Sequence, residues 1–330
     1  MKASTPSSVL SRFIVSAMYV VVAAGAWDVW WHGAIGRDSF WEPPHLLLQA
    51  GVVATLATAV LGWIRLRDHR WKLVALAALT VPLSAPFDEL WHRAFGVENL
   101  TSALVIWSPP HLLLVGGLIA TLVLVLPVVR TDADAVARAL FGSIAGAALL
   151  QLLLFLAVPL EPLGLYRLLG FWGSLFPALF LALVLIVMRT LAPAPGSATM
   201  TVLFYLVLAS LSFGERLAPG ITVPPHAHPP GWLAAFSFGV PAAIVDLAAF
   251  RWHGAVTGAV VGFLSAGILY GFSSPFLGLP FRFGPSATAV AVVSSVVGGA
   301  LGGLLAQRSV SRRVGVPNGP RITRETLPIG

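Results

Sequence analysis

The sequence has no cysteine, and only 10% of its 330 residues are charged. The first absence excludes disulfides, thiolate metal sites, iron–sulfur clusters and cysteine nucleophiles, so any metal must be held by nitrogen and oxygen donors. The second excludes an ordinary soluble domain, in which about 25% of residues carry charge. Two further patterns are missing. No Gly-Lys-Ser/Thr follows the glycine-rich stretch near 295–307, so it is no phosphate loop. Neither a dinucleotide fingerprint nor a Ser–His–Asp nucleophile pattern is present.

What remains is apolar. Hydrophobic residues make up 57% of the chain and the mean hydropathy is +0.88, which indicates an all-α, polytopic integral membrane protein. The net charge of +7 and the pI near 10.7 suggest nucleic acid at first sight. The basic residues, however, are scattered between apolar spans, and no span carries a nucleic-acid fold signature. The partner they imply is the lipid bilayer, not nucleic acid.

A bilayer core needs about 20 apolar residues per helix. Runs of that size predict about ten spans, near 10–32, 43–64, 72–92, 109–130, 135–159, 165–189, 198–214, 231–250, 254–272 and 285–306. Pro82 and Pro86 are expected to bend or unwind the outer half of the third. Lys2, Arg12, an apolar run and "AGA" at Ala24–Ala26 imitate a signal peptide. The first run is nevertheless read as a retained helix, because its terminal motif recurs at the end of an internal span. With both termini in the cytoplasm, fifteen Lys and Arg fall on that side and five on the other, the positive-inside bias of a multi-pass inner (plasma) membrane protein. Residues 307–330, basic and rich in Gly and Pro, read as a disordered cytoplasmic tail whose arginines can rest on anionic headgroups.

Residues 1–130 contain a duplication, with copies at 27–48 and 87–114; residues 131–306 supply the remaining spans. The first copy runs Asp28, Trp31, His32, Ala34, Gly36, Asp38, Trp41, Pro43, Pro44, His45 and three leucines. The second runs Asp88, Trp91, His92, Ala94, Gly96, Glu98, Trp107, Pro109, Pro110, His111 and three leucines. The offset is 60 residues in the first half and 66 in the second, so the second copy has a longer loop. Each copy is a span, a short outer loop and a span, so the repeat consists of two parallel helical hairpins.

The spacing has chemical content. Asp and His at i and i+4 share one helix face. The later His follows two prolines at a helix start, where the hairpin brings it back opposite the Asp–His pair. Two imidazoles and a carboxylate then converge in each copy: Asp28, His32 and His45, and Asp88, His92 and His111. Such a donor set suits copper, zinc or non-haem iron. The copies form either two sites or one shared cluster. Arg37, Asp38 and Glu42 lie close enough to orient the imidazoles, and the tryptophans can form an apolar collar. The competing readings of the same pairs are a hydrogen-bonded helix clamp and a proton relay.

The first copy, D-x-x-W-H-x4-R-D-x4-P-x-H from Asp28 to His45, resembles the metal-binding motif of the C subunit of copper membrane monooxygenases. That family includes the particulate methane, ammonia and short-chain hydrocarbon monooxygenases. The resemblance covers about 18 residues and implies copper held by Asp28, His32 and His45 inside the membrane near its outer face. It also implies O2-dependent oxidation of a small apolar substrate, and further membrane subunits as partners. The family motif occurs once per subunit, whereas here it is doubled. In the second copy Val97 replaces Arg37, and the later histidine lies nineteen residues after His92, against thirteen from His32 to His45.

Other candidates are weaker. His226 and His228 in "PPHAHPP" form a His-x-His pair on the same outer side, able to bind a surface metal or complete a repeat site. Metal uptake or delivery and proton-coupled transport are the non-oxidative alternatives. Glu215 and Arg216 read as interfacial charges, His69 as part of a topogenic turn, and Asp246, Trp252 and His253 as features of a cytoplasmic helix end.

Overall fold

In a computed structural model, the structure describes residues 5–35, 41–95, 107–157, 171–212, 231–248, 252–273 and 285–314. Side chains at 32–34, 171–173, 212, 231, 232, 234, 271–273, 285, 287 and 311–314 fall outside that description. The described residues form ten α-helices and no strand. They are α1 (Pro6–Ala34), α2 (Pro43–Leu66), α3 (His69–Phe95), α4 (Pro109–Arg130) and α5 (Ala135–Ala157), then α6 (Phe171–Leu191), α7 (Ser197–Ser212), α8 (Gly231–Ala248), α9 (Gly254–Ser273) and α10 (Pro285–Val314). Seven are long and apolar enough to cross a membrane, and α7, α8 and α9 contribute shorter apolar stretches.

Local sequence sets the helix ends. Thr5 caps α1, its hydroxyl accepting from the Ser8 N–H at 3.2 Å, with Pro6 in the first turn. Pro-Pro pairs open α2 and α4 in the same way. The third span stays helical through Pro82 and Pro86, so of the two expected outcomes the unwinding does not occur. Helical neighbours on both sides of each proline retain enough of the ladder to carry it through. The tail corrects one expectation, because α10 continues to Val314 and residues 307–314 are helical rather than disordered. The remainder of the tail, 315–330, lies outside the described residues.

The first four helices make a ring in which α1 packs on α2 and α4, and α3 on α4 and α2. Positions equivalent in the two copies make similar contacts. Gly51 of α2 lies against Val21 and the Ala17 carbonyl of α1, while Gly117 of α4 lies against Val81 and the Ala77 carbonyl of α3. These contacts are related by the offsets of 60 and 66 residues found in the motif. Met18 and Ala78, Val21 and Val81, and Val52 and Leu118, each at equivalent places in the two copies, line one small apolar cleft between these helices. The Asp–His motifs lie where α1 and α3 end and α2 and α4 begin.

The rest of the bundle packs on α1 through α5 and α7, while α10 lies between α6 and α9. Without a hydrophobic drive between helices in lipid, close approach depends on small residues. On α10, Gly299 and Gly303 meet the carbonyls of Gly258 and Gly254 on α9, and Gly298 and Gly302 meet the carbonyls of Leu175 and Leu179 on α6.

Two carboxylates, Asp132 buried and Asp246 part-buried, lock the opposite end of the bundle. Asp132, 2% exposed in the α4–α5 turn, takes a bidentate pair from Arg12 of α1, from Nε at 2.7 Å and Nη2 at 2.9 Å. Asp246 of α8 accepts the Ala198 and Thr199 N–H groups at the start of α7 (3.1 and 2.9 Å) and the Thr199 hydroxyl, with Arg189 Nε at 3.5 Å. The Arg12 hydrogen bond holds the Asp132 carboxyl below the usual carboxylate range. A depressed carboxylate contributes stability that is complete above its unfolded pKa and lost as pH falls through the folded one. Thermal unfolding in detergent should therefore show the midpoint falling below about pH 4, with Asp132→Asn flattening that acid limb. Arg12→Ala, which removes the bidentate partner of a buried carboxylate, should cost about 3 kcal/mol at neutral pH.

Candidate functional site

The motif end of the ring is built by helix phase. Asp28 and Asp88 sit in the last two turns of α1 and α3, and His45 and His111 are the third residues of α2 and α4, just after the Pro-Pro pairs. The prolines start each return helix without needing an N–H partner, so the histidine stands within the first turn, level with the aspartate of the preceding helix. Pro44 and Pro110 are both buried and fix that turn against the bundle.

In the first copy Asp28 Oδ1 lies 3.1 Å from His45 Nε2, with side chains 20% and 23% exposed. In the second, one carboxylate oxygen, Asp88 Oδ1, is 3.6 Å from His92 Nε2 and 3.6 Å from His111 Nε2. That oxygen is buried and accepts no hydrogen bond from any described residue. Charge-assisted N–H···O bonds are shorter, about 2.7–2.9 Å. Donor atoms around a tetrahedral ion with bonds of about 2.0–2.1 Å stand about 3.3 Å apart, between the spacings of the two copies. The carboxylate joins the two imidazoles as a common vertex. Among the described residues no three His, Asp or Glu side chains form a group that could hold a metal ion as they stand.

Five of the eight candidate ligands are therefore brought into two Asp–His clusters. The His32 side chain lies outside the described residues, although its backbone belongs to α1 one turn beyond Asp28. His226 and His228, with Arg37, Asp38, Val97, Glu98, Glu215 and Arg216, also lie outside them. His69 and His253 are exposed. Of the aromatics, Trp31 packs edge-on to Trp27 at 6.0 Å and Trp91 tilts over Phe95 at 4.3 Å. Trp107 Nε1 donates to the Leu156 carbonyl at 3.1 Å and ties the second copy to α5, whereas Trp41 is 71% exposed.

Sequence reasoning passed over Ser108, the residue before the second Pro-Pro-His. It is 0% exposed and its hydroxyl has no hydrogen bond to any described residue. The repeat register pairs it with Glu42, and that was the available signal. Comparison with known families, curated proteins and solved structures returns no match.

Proposed function

We propose that this chain is a multi-pass membrane protein that binds transition-metal ions at its two repeated Asp–His sites, with copper the favoured ion. The observation that carries the reading is the position of Asp88 Oδ1, 3.6 Å from imidazole nitrogens on two different helices. A cation between these donors draws them together by side-chain rotation and offsets the cost of a buried carboxylate oxygen that accepts no hydrogen bond from any described residue. Asp28, His32 and His45 form the first site, and Asp88, His92 and His111 the second. Zinc and iron suit the same donors.

Copper is preferred because of the resemblance of the first copy to the monooxygenase C subunit. On that reading the motifs lie at the outer face, both termini are cytoplasmic, and further membrane subunits act with this one. Bound copper would supply the redox chemistry for O2-dependent oxidation of a small apolar substrate. The protein's own residues hold the ion, and the tryptophans beside them keep the site apolar. Metal uptake or delivery uses the same donors without turnover, and O2-dependent product formation by copper-loaded protein separates the two. The 3.1 Å contact between Asp28 and His45 supports a second reading, in which the pair shares a proton, as a helix clamp or relay.

Metal content of the purified protein tests the proposal. Wild type should carry about two equivalents after copper loading, and His32→Ala and His92→Ala should each retain about one. Unchanged content in both variants would remove the repeats as ligands.

A further inference from the structure

Four cations crowd the two-residue connection between α2 and α3: Arg65 in the last turn of α2, Arg67 at its C-cap, and Arg70 and Lys72 in the first turn of α3. All four are exposed, and Asp68 is the single carboxylate among them. Arg12, Arg93 and Arg189 each face a carboxylate, whereas these four make no ion pair with any described residue. Asp68 instead serves the backbone, its Oδ1 accepting the Arg70 N–H at 2.9 Å. Trp71, 1% exposed, packs against Gly62 of α2 and donates its indole N–H to Ser7 Oγ at 3.3 Å, which pins the turn to the bundle. Among the described residues Arg67 is the one non-glycine with positive φ, 52°. A helix end usually places glycine in that left-handed conformation, so the backbone gains nothing from an arginine there.

We propose that the α2–α3 turn is a docking surface for anionic phospholipid headgroups, with Arg65, Arg67, Arg70 and Lys72 holding the phosphates. Both helices are long and apolar enough to cross a membrane, so the turn that joins them stands at the bilayer surface. Guanidinium groups match phosphate oxygens in pairs, and basic groups beside a span are drawn to anionic lipid. The cations adjoin exposed apolar side chains, Ile64 (63%), Trp63 (42%) and Leu73 (37%), and Lys72 Nζ lies 6.0 Å from the Trp63 ring centroid. That combination fits a phospholipid, whose acyl chains cover the apolar side chains while its phosphate meets the cations. A free anion or a nucleic acid would leave the apolar part in water. The surface is separate from the Asp–His sites, since His45 and Asp88 lie towards the other ends of α2 and α3.

Native mass spectrometry of the detergent-purified full chain tests this, with phosphatidylglycerol and phosphatidylcholine as competing probes. The wild type should retain phosphatidylglycerol in preference, and Arg65→Gln/Arg70→Gln should cut that preference about tenfold. Arg93→Gln, near the other end of α3 and already paired with Glu89, should leave it unaltered. Arg67→Gly gives a second readout, thermal unfolding in phosphatidylcholine nanodiscs with and without added phosphatidylglycerol. The midpoint in phosphatidylcholine should hold or rise, because glycine suits the backbone there, while the gain from phosphatidylglycerol shrinks. Changes of opposite sign separate lost lipid contact from a damaged fold. No preference for phosphatidylglycerol in the wild type, a preference untouched by Arg65→Gln/Arg70→Gln, or an equal loss with Arg93→Gln overturns the proposal. Inorganic phosphate that raises the midpoint as much as the anionic lipid does overturns it in favour of a free-anion site.

Discussion

Asp88→Ala should lower the affinity of the second site for Cu(II) by about a hundredfold or more while leaving the first site unchanged. Asp88 reaches both imidazoles, its Oδ1 standing 3.6 Å from His92 Nε2 and from His111 Nε2. Its removal takes away an anionic donor and the link between α3 and α4 at once. The side chain is 29% exposed, so alanine leaves little cavity, and the thermal midpoint without metal should change little. A helix clamp predicts the reverse pattern, with a lower midpoint and unaltered metal binding. Copper titration and thermal unfolding of the same preparation separate the two accounts.

The second large effect lies far from that site. Gly258→Leu should reduce folded yield and lower stability by more than about 3 kcal/mol, because a side chain there meets the Gly299 backbone of α10. No rotamer relieves that contact, and separating α9 from α10 also loosens the Gly254–Gly303 and Gly262–Ser295 approaches. Gly267 on the same helix is the control, since a Cβ there meets nothing within 4 Å. Gly267→Ala should be neutral or stabilising by up to about 1 kcal/mol. Thermal unfolding of the two variants in detergent checks the contrast, and similar behaviour would mean that the interface is not held by backbone contact.

The helical architecture was legible because its cause is local. Apolar runs bounded by Pro, Gly and charge mark where backbone must satisfy itself, and the span expected at 109–130 coincides with α4. The duplication was legible in Asp28/Asp88 and the two Pro-Pro-His starts. It reaches deeper than the motif, however, to Gly51 on Val21 and Gly117 on Val81. The α10 terminus was misjudged because composition says nothing of a helix that simply continues past its apolar part, as this one does to Val314. Arg12 was read only as a topological charge, since its partner Asp132 is 120 residues away and no periodic signal links them. The role of Asp246 at the start of α7 was hidden for the same reason, its partners lying 47 and 48 residues earlier. At the candidate site, residue types and helix phase gave the pairing of Asp28 with His45 and of Asp88 with His92 and His111. The N-cap position was overlooked because serine before Pro-Pro looks like an ordinary cap until its hydroxyl is found buried and making no cap bond.

The account depends on imidazole and carboxylate groups from neighbouring helices sharing an ion. Pulsed electron paramagnetic resonance of the Cu(II)-loaded His45→Ala protein, in which only the second site remains, tests this most directly. Two imidazole nitrogens coupled to the copper, reduced to one in the His45→Ala/His111→Ala double variant or lost with the metal, is the expected result. Copper bound without imidazole coupling, or with couplings unaltered when His111 is removed, would contradict it.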